Sequence, residues 1–220
     1  MEKKFIQKLH NSTKRNYLER MMNEKVRCSI EAKKYSKNYW DGNRKYGYGG
    51  YRYIPGRWKE FAKSLIKLFK LKDNSKILDI GCGKGYLLKE FKNINNSFKI
   101  HGYDISKYAI INSHQDIKKN LFVHDIRKKT NFKNNYFDLT ICNGVLHNLE
   151  INEIKFVLNE IERISNKNKY LMVESYNTEK ELFNLQCWAL TCKSFFSSDE
   201  WKWVFSEFGY KGHYEFIYFK

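Results

Sequence analysis

The chain has 220 residues, with 41 Lys and Arg against 24 Asp and Glu and a formal net charge of +17. That length suits one domain with a sizeable core; no apolar run approaches the ~20 residues of a membrane span, and the charged opening Met1–Lys8 lacks the apolar centre of a secretory leader. The basic excess admits nucleic acid or another polyanion as partner, but the lysines are scattered rather than gathered in one block, and the same field serves an anionic small substrate.

Cys28, Cys82, Cys142, Cys187 and Cys192 are odd in number and form no Cys-x-x-Cys pair. This fits reduced thiols in the cytoplasm, with neither a disulfide frame nor a metal site. Residues 1–56 read as an N-terminal helix and aromatic lid, and 57–220 as the ligand-binding domain. Residues 1–12 read as a loose start. Leu18, Met22, Val26 and Ile30 recur at four-residue steps and predict one helix over 13–34, with Ser12 or Thr13 as N-cap. Residues 35–58 crowd tyrosines and tryptophans among glycines, with no helical or strand period. Large rings on such a backbone predict a loop folded over a ligand. Its substrate-contact candidates are Tyr39, Trp40, Tyr46, Tyr48, Tyr51 and Arg52. Arg44, Arg52 and Arg57 are available to pair with an anionic group.

Trp58, Phe61, Leu65 and Leu68 share one stripe and predict a helix over 57–69. Residues 76–80 form an apolar strand that runs into Gly81-Cys82-Gly83-Lys84-Gly85 and then a helix from Tyr86. Strand, glycine turn and helix together open a nucleotide- or nucleoside-binding α/β domain. The third glycine comes one residue earlier than in the dinucleotide fingerprint, and Asp79 precedes the loop. A carboxylate there suits a ligand with an ammonium and a sulfonium better than a pyrophosphate. A second strand over 98–103 ends at Asp104, followed by Ile105. Asp104 lies 19 residues past Gly85, the interval at which an acidic residue takes ribose hydroxyls. Ser106 caps a helix to 111.

A third strand, 121–124, ends at Asp125-Ile126. A fourth, 136–142, runs into Asn143-Gly144-Val145-Leu146-His147. A helix over 151–165 precedes a fifth strand, 170–174, and Glu174-Ser175-Tyr176 stands at its carboxyl end. Ligands of open α/β sheets bind there, which makes Tyr176 a candidate for the acceptor pocket. Helices follow over 178–191 and 197–208, the latter opened by the capping box Ser197/Glu200 and stopped at Gly209. Residues 210–219 read as a buried closing strand. Strands separated by helices predict a parallel sheet covered on both faces.

Asp79 followed by Gly81-x-Gly83-x-Gly85, with Phe137-Asp138-Leu139 and then Leu146-His147-Asn148-Leu149, resembles the class I S-adenosylmethionine-dependent methyltransferases of small molecules. The resemblance spans residues 57–219. It implies a Rossmann-like α/β fold with a mostly parallel seven-stranded sheet, helices on both faces and an antiparallel last strand, the sixth being as short as 210–212. It also implies S-adenosylmethionine as methyl donor. Asp79, Gly81, Cys82, Gly83 and Gly85 would cradle its carboxypropyl end, Asp104 and Ile105 its ribose, Asp125 and Ile126 its adenine, and the Asn143 carbonyl its ammonium. His147 would reach the acceptor as base or contact. The only proline is Pro55, so the proline-bearing motifs of the base-modifying relatives are missing. Tyr39-Trp40-Asp41-Gly42, Gly47-Tyr48-Gly49-Gly50-Tyr51 and the stretch from Gly209 to Phe216 resemble bacterial methyltransferases of surface-sugar biosynthesis. That implies an O or N acceptor on a small anionic sugar, a nonulosonic acid or nucleotide sugar. An RNA methyltransferase is the alternative. A non-catalytic cofactor-binding partner subunit is the second, against which the intact acids at 79, 104 and 125 speak.

Overall fold

The computed structural model describes residues 1–220, the side chain of Lys8 apart. Its strands are β1 (Lys76–Ile80), β2 (Lys99–Asp104), β3 (Leu121–Val123), β4 (Phe137–Asn143), β5 (Ser165–Glu174) and β6 (His213–Ile217). They make one six-stranded sheet in the order β3-β2-β1-β4-β5-β6, with every neighbouring pair parallel. The winding reverses between β1 and β4, which opens a crevice at their carboxyl ends. The helices are α1 (Gln7–Asn11), α2 (Tyr17–Met22), α3 (Lys25–Ala32), α4 (Lys37–Asp41), α5 (Lys59–Phe69), α6 (Tyr86–Ile94), α7 (Lys107–Ile111), α8 (Ile151–Ile164), α9 (Glu179–Trp188) and α10 (Ser198–Glu207). None among the described residues is long and apolar enough to cross a membrane.

Successive strand residues point to opposite faces, and the core divides accordingly. Ile77, Leu139, Ile141 and Tyr170 meet Phe61, Ala62 and Leu65 of α5 and Leu88 and Phe91 of α6 on one face. Leu78, Ile80, Cys142, Leu171 and Val173 meet α8 and the Trp201, Val204 and Phe205 side of α10 on the other. On α8, Ile154, Val157, Leu158, Ile161 and Ile164 are buried at helical spacing, a gross hydrophobic gain on the order of 10 kcal/mol. A capping box, Glu150 with Glu153, starts that helix, and the one read at Ser197/Glu200 starts α10.

The closing strand departs from the expectation. β6 is parallel to β5, and the sheet has six strands rather than seven. The crossover through α9 and α10 carries the chain back to the start of the sheet, so β6 enters it in the same direction as β5. The Tyr210 hydroxyl folds back onto the His213 carbonyl at 2.8 Å. The outer edge of β6 is covered by the N-terminus: Glu2 bridges Tyr214 in parallel, and Lys3 N–H donates to the Tyr214 carbonyl at 2.8 Å. Covering an edge in this way removes a template for aggregation.

Two expectations for the first part are corrected as well. Residues 1–12 are not loose. The fully buried Glu215 carboxylate accepts the backbone N–H groups of Phe5, Ile6 and Gln7 at 2.7, 2.9 and 2.9 Å, and the Tyr170 hydroxyl donates to it as well. The single helix over 13–34 is two, α2 and α3, broken where Glu24 takes a left-handed φ of 47°. The N-cap of α2 is Asn16, which accepts from Glu19 N–H. The apolar stripe faces outward: Leu18, Met22, Val26 and Ile30 are 61%, 82%, 75% and 61% exposed. Cys28 and Ala32 are the residues of α3 that turn inward.

Candidate active site

The floor of the crevice is backbone. Gly81 and Cys82 donate their N–H groups to the Tyr103 carbonyl of β2 at 2.8 and 3.0 Å, which folds the loop against the neighbouring strand. Gly81 has φ of 71°, and a Cβ there would lie 2.3 Å from Val145 Cγ2. Gly83 has φ of 55°, and a Cβ there would lie 2.8 Å from the Trp40 ring. Glycine is needed at both for conformation and for space.

Three polar groups surround that floor. Asp104 Oδ2 accepts Gly83 N–H and its Oδ1 accepts Ser106 N–H, both at 2.8 Å. Burial raises its pKa, and those two donors counter part of the rise. Asp79 is 4% exposed. Burial, with the charge of Asp104 behind it, pushes the Asp79 carboxyl up to about 8. Asn143 stands across from the loop on β4, and its Oδ1 is buried without a hydrogen-bond partner. A buried carboxyl held far above its ordinary range and an orphaned amide oxygen are both groups that a cation would relieve. Ile105 is largely exposed beside them, and Cys82 is buried in the core of the first face.

The aromatic segment does close over this floor, and it is more regular than a loop, containing α4 and a 3₁₀ turn at Arg44–Tyr46. Trp40 lies on Gly83, is 5% exposed, and donates its Nε1–H to Ser106 Oγ at 2.8 Å. Tyr48 stacks on Trp40 with centroids 5.2 Å apart and planes 10° apart. Tyr51 stacks on Tyr86 of α6 at 5.0 Å, and Tyr39 meets Trp40 edge-on at 5.2 Å. An ion pair locks lid to floor: Lys84 Nζ lies 2.7 Å from Asp41 Oδ2 and also donates to the Tyr51 carbonyl at 2.8 Å. The Tyr108 hydroxyl donates to the same carboxylate at 2.9 Å.

Not every ring belongs to the lid. Tyr46 packs with the small cluster of Cys28, Ala32 and Leu190, away from Gly83. Arg52 and Arg57 are exposed. The Tyr176 hydroxyl is 3.5 Å from Glu200 Oε2, turned toward the start of α10.

His147 is buried on a short 3₁₀ turn after β4. Its Nδ1 accepts the backbone N–H of Glu174 at 3.1 Å, so the ring proton sits on Nε2, which faces Glu174 Oε2 at 3.5 Å. Burial lowers the His147 pKa and the Glu174 charge offsets part of that, so the ring is neutral near pH 7. A histidine with its lone pair taken by a backbone donor and its other nitrogen protonated has no basic nitrogen to offer. As arranged here, His147 does not offer the free lone pair expected of a base, and the neighbouring carboxylate of Glu174 has a side chain 24% exposed. Glu174 closes β5, the neighbour of β4 in the sheet, so its carboxylate stands at the same carboxyl edge as the floor.

Asp125 is engaged by Arg127, whose Nη2 is 2.7 Å from Oδ2 and whose Nε is 2.9 Å from Oδ1. That pairing holds the carboxyl below its ordinary range. Ile126 is buried in the second-face core with Ile80 and Tyr103. Sequence reasoning missed Asp41, Lys84 and the base role open to Glu174. Lys84 was in plain view inside the glycine loop, but its partner lies 43 residues upstream.

A family model for a methyltransferase domain matches residues 71–209. No curated protein sequence matches the chain. Among solved structures, a SAM-dependent methyltransferase from Aquifex aeolicus is similar at 18% identity over 71% of this chain and 84% of that one, with a TM-score of 0.51. A chain from the complex of the Haloferax volcanii Trm112 methyltransferase activator is similar at 19% identity over 70% and 73%, with a TM-score of 0.53. The YcgJ protein of Bacillus subtilis is similar at 17% identity over 67% and 66%, with a TM-score of 0.53.

Proposed function

The chain belongs to the methyltransferase domain family, an S-adenosylmethionine-dependent enzyme class, and we propose that it methylates an oxygen or nitrogen of a small anionic metabolite held under the aromatic lid. The observation that carries this is the contact of Trp40 with Gly83, locked by Lys84 and Asp41: the acceptor side of the floor is roofed by rings. Aromatic faces suit a sugar-type acceptor, such as a sugar acid or nucleotide sugar.

The residues present fit the donor. The unsatisfied Asn143 Oδ1 and the strained protonation of Asp79 are relieved by an ammonium. Asp104 keeps lone pairs beyond its two backbone donors and can take ribose hydroxyls. Asp125 is the acid we assign to the adenine amino group, alongside its pairing with Arg127. The bound donor supplies a methyl group on a sulfonium that carries its own leaving group. The protein is left to align the acceptor and exclude water. Glu174 takes the proton that an oxygen acceptor sheds, with the neutral His147 ring 3.5 Å from that carboxylate. A basic amine acceptor needs alignment alone.

Transfer from labelled S-adenosylmethionine to sugar acids, nucleotide sugars and RNA tests the reading. Label in a sugar acid or nucleotide sugar supports it. Label in RNA alone would transfer the +17 charge to the polymer reading. Cofactor binding without transfer to any acceptor would favour a partner subunit.

A further inference from the structure

Trp188, the last residue of α9, is surrounded by arginines drawn from two separate parts of the chain. The guanidinium carbons of Arg15, Arg20 and Arg44 lie 5.3, 4.9 and 5.0 Å from its ring centroid. Arg15 also lies 5.3 Å from the Phe219 ring. Their hydrogen bonds reach carbonyls and one imidazole. Arg15 Nη1 donates to His10 and Thr13 carbonyls at 3.2 and 3.1 Å, and its Nη2 lies 3.2 Å from His10 Nδ1. Arg20 Nη1 donates to the Arg44 carbonyl at 2.6 Å, and Arg44 Nη1 donates to the Gly47 carbonyl. None of the three is within ion-pair distance of a carboxylate among the described residues, and Arg15 Nε is buried with no partner at all. Lys25 adds a fourth cation, its Nζ 2.7 Å from the Cys187 carbonyl.

The plain explanation is cations capping the C-terminus of α9. A helix end carries roughly half a negative charge, which leaves most of four positive charges unbalanced in a partly desolvated place. Cation–π contact with Trp188 softens the repulsion between them but neutralises nothing.

Their position matters as much as their number. Phe219 lies just past the carboxyl end of β6, and the charge of Glu174, at the carboxyl end of β5, reaches both Arg15 and Lys25. Arg44 and Glu174 both act on the Tyr39 and Tyr48 hydroxyls. Because β6 lies beyond β5 in the sheet and Arg15 sits over Phe219, the arginines stand at the same sheet edge as the floor, on the far side of β5 and Glu174 from it. We infer that Arg15, Arg20 and Arg44 around Trp188 form a subsite for an oxyanion, phosphate or carboxylate, carried by the methyl acceptor. An acceptor anchored there directs its remaining atoms toward Glu174 and the floor. This deepens the methyl-transfer reading and rests on it.

Calorimetric titration of the full chain with pyrophosphate and with citrate, at fixed ionic strength, tests the subsite. One of the two should bind, its identity separating a phosphate from a carboxylate source. Arg20→Gln and Arg44→Gln should each weaken that binding by about tenfold or more through the lost charge-assisted hydrogen bonds, and Arg44→Lys should retain most of it. Affinity for S-adenosylhomocysteine, measured on the same samples, should stay within about twofold in Arg44→Gln, which shows that the variant is folded. Anion binding that is equal in all variants, or no binding beyond that of chloride, overturns the subsite. So does a short RNA that binds more tightly than either anion and suffers the same losses. Failure of the wild type to bind S-adenosylhomocysteine would instead strike the methyl-transfer reading, since the anion titration is read independently.

Discussion

Trp40 and Gly83 touch across a joint between two regions of unlike construction. The floor, Asp79 to Gly85 with Asp104, is made from adjacent parallel strands and backbone hydrogen bonds of short reach, such as Gly81 N–H to the Tyr103 carbonyl at 2.8 Å. The cap is made from side chains that meet across long stretches of chain. Lys84 pairs with Asp41, Arg20 meets Trp188, and Phe5 to Gln7 hang on Glu215. A floor of that kind tolerates almost no change of side chain at its glycines. A cap of that kind can be re-aimed by a few surface residues, which is how one cofactor site serves different acceptors.

The largest effect belongs to the floor. Gly81→Val imposes a side chain at φ of 71° and drives Cβ toward Val145. Strain of about 1–3 kcal/mol plus the steric overlap should lower affinity for S-adenosylhomocysteine by at least ~100-fold, where each 1.4 kcal/mol is tenfold. Wild-type affinity in the calorimeter would mean that the floor is not built from the loop backbone.

Asp41→Asn attacks the joint. It leaves Lys84, whose side chain is 6% exposed, without its carboxylate, a loss of up to about 3 kcal/mol. Cleavage by protease within 35–58 should accelerate, and cofactor affinity should fall about tenfold if lid and floor act together. Burial works against the Asp41 charge, but hydrogen bonds from Lys84 and Tyr108 win and hold its pKa below the ordinary value. The stabilisation it gives is thus present above the ordinary carboxylate range and is lost as pH falls through the depressed value. Acid should therefore loosen the lid in the wild type and leave Asp41→Asn unmoved.

The unlike construction also explains what could be read from the chain alone. Spacing within one βαβ unit brought Asp79, the glycines and Asp104 together, because a short run of chain determines that geometry. The capping box at Ser197 and the stripe of α8 were legible for the same reason. The parallel sense of β6 was not, since it depends on how α9 and α10 cross the sheet. The break at Glu24 was hidden because a four-residue apolar period continues straight through it. The pairing of His147 with Glu174 needed β4 and β5 side by side, and no local pattern announces that Arg15 and Arg44 share one indole.

Asp79 gives a pH signature confined to the floor. Its carboxyl, pushed up to about 8 by burial and by Asp104, is protonated in the free protein at neutral pH and ionised when unfolded. The unfolded state then binds fewer protons, so this group lowers stability as pH rises from the ordinary carboxylate value toward about 8. An ammonium at the site favours the carboxylate. Binding of S-adenosylhomocysteine should therefore release a proton and strengthen with pH up to that value, by at most about tenfold per pH unit. Calorimetry in buffers of different ionisation enthalpy measures the release, which Asp79→Asn should abolish. Proton uptake on binding would contradict the assignment.

The smallest effect is the most discriminating. Asp125 is held by Arg127 at both oxygens, Oδ1 accepting its backbone N–H and Nε and Oδ2 accepting Nη2 and a longer contact from Nε, so an adenine amino group there shares an oxygen with Arg127. Asp125→Asn keeps the shape and one acceptor oxygen but removes the charge and turns the other acceptor into an amide donor, so its cost to an adenine amino contact should be about 1 kcal/mol, a few-fold in affinity. The partly exposed ion pair with Arg127 is worth no more than about 1 kcal/mol to stability, so the fold should hold. Fragments then separate the two ends of the site. Adenosine binding should weaken in Asp125→Asn and not in Asp79→Asn, whereas methionine should show the reverse. If both fragments weaken equally in both variants, these acids act through the general field of the crevice rather than by holding separate ends of one cofactor.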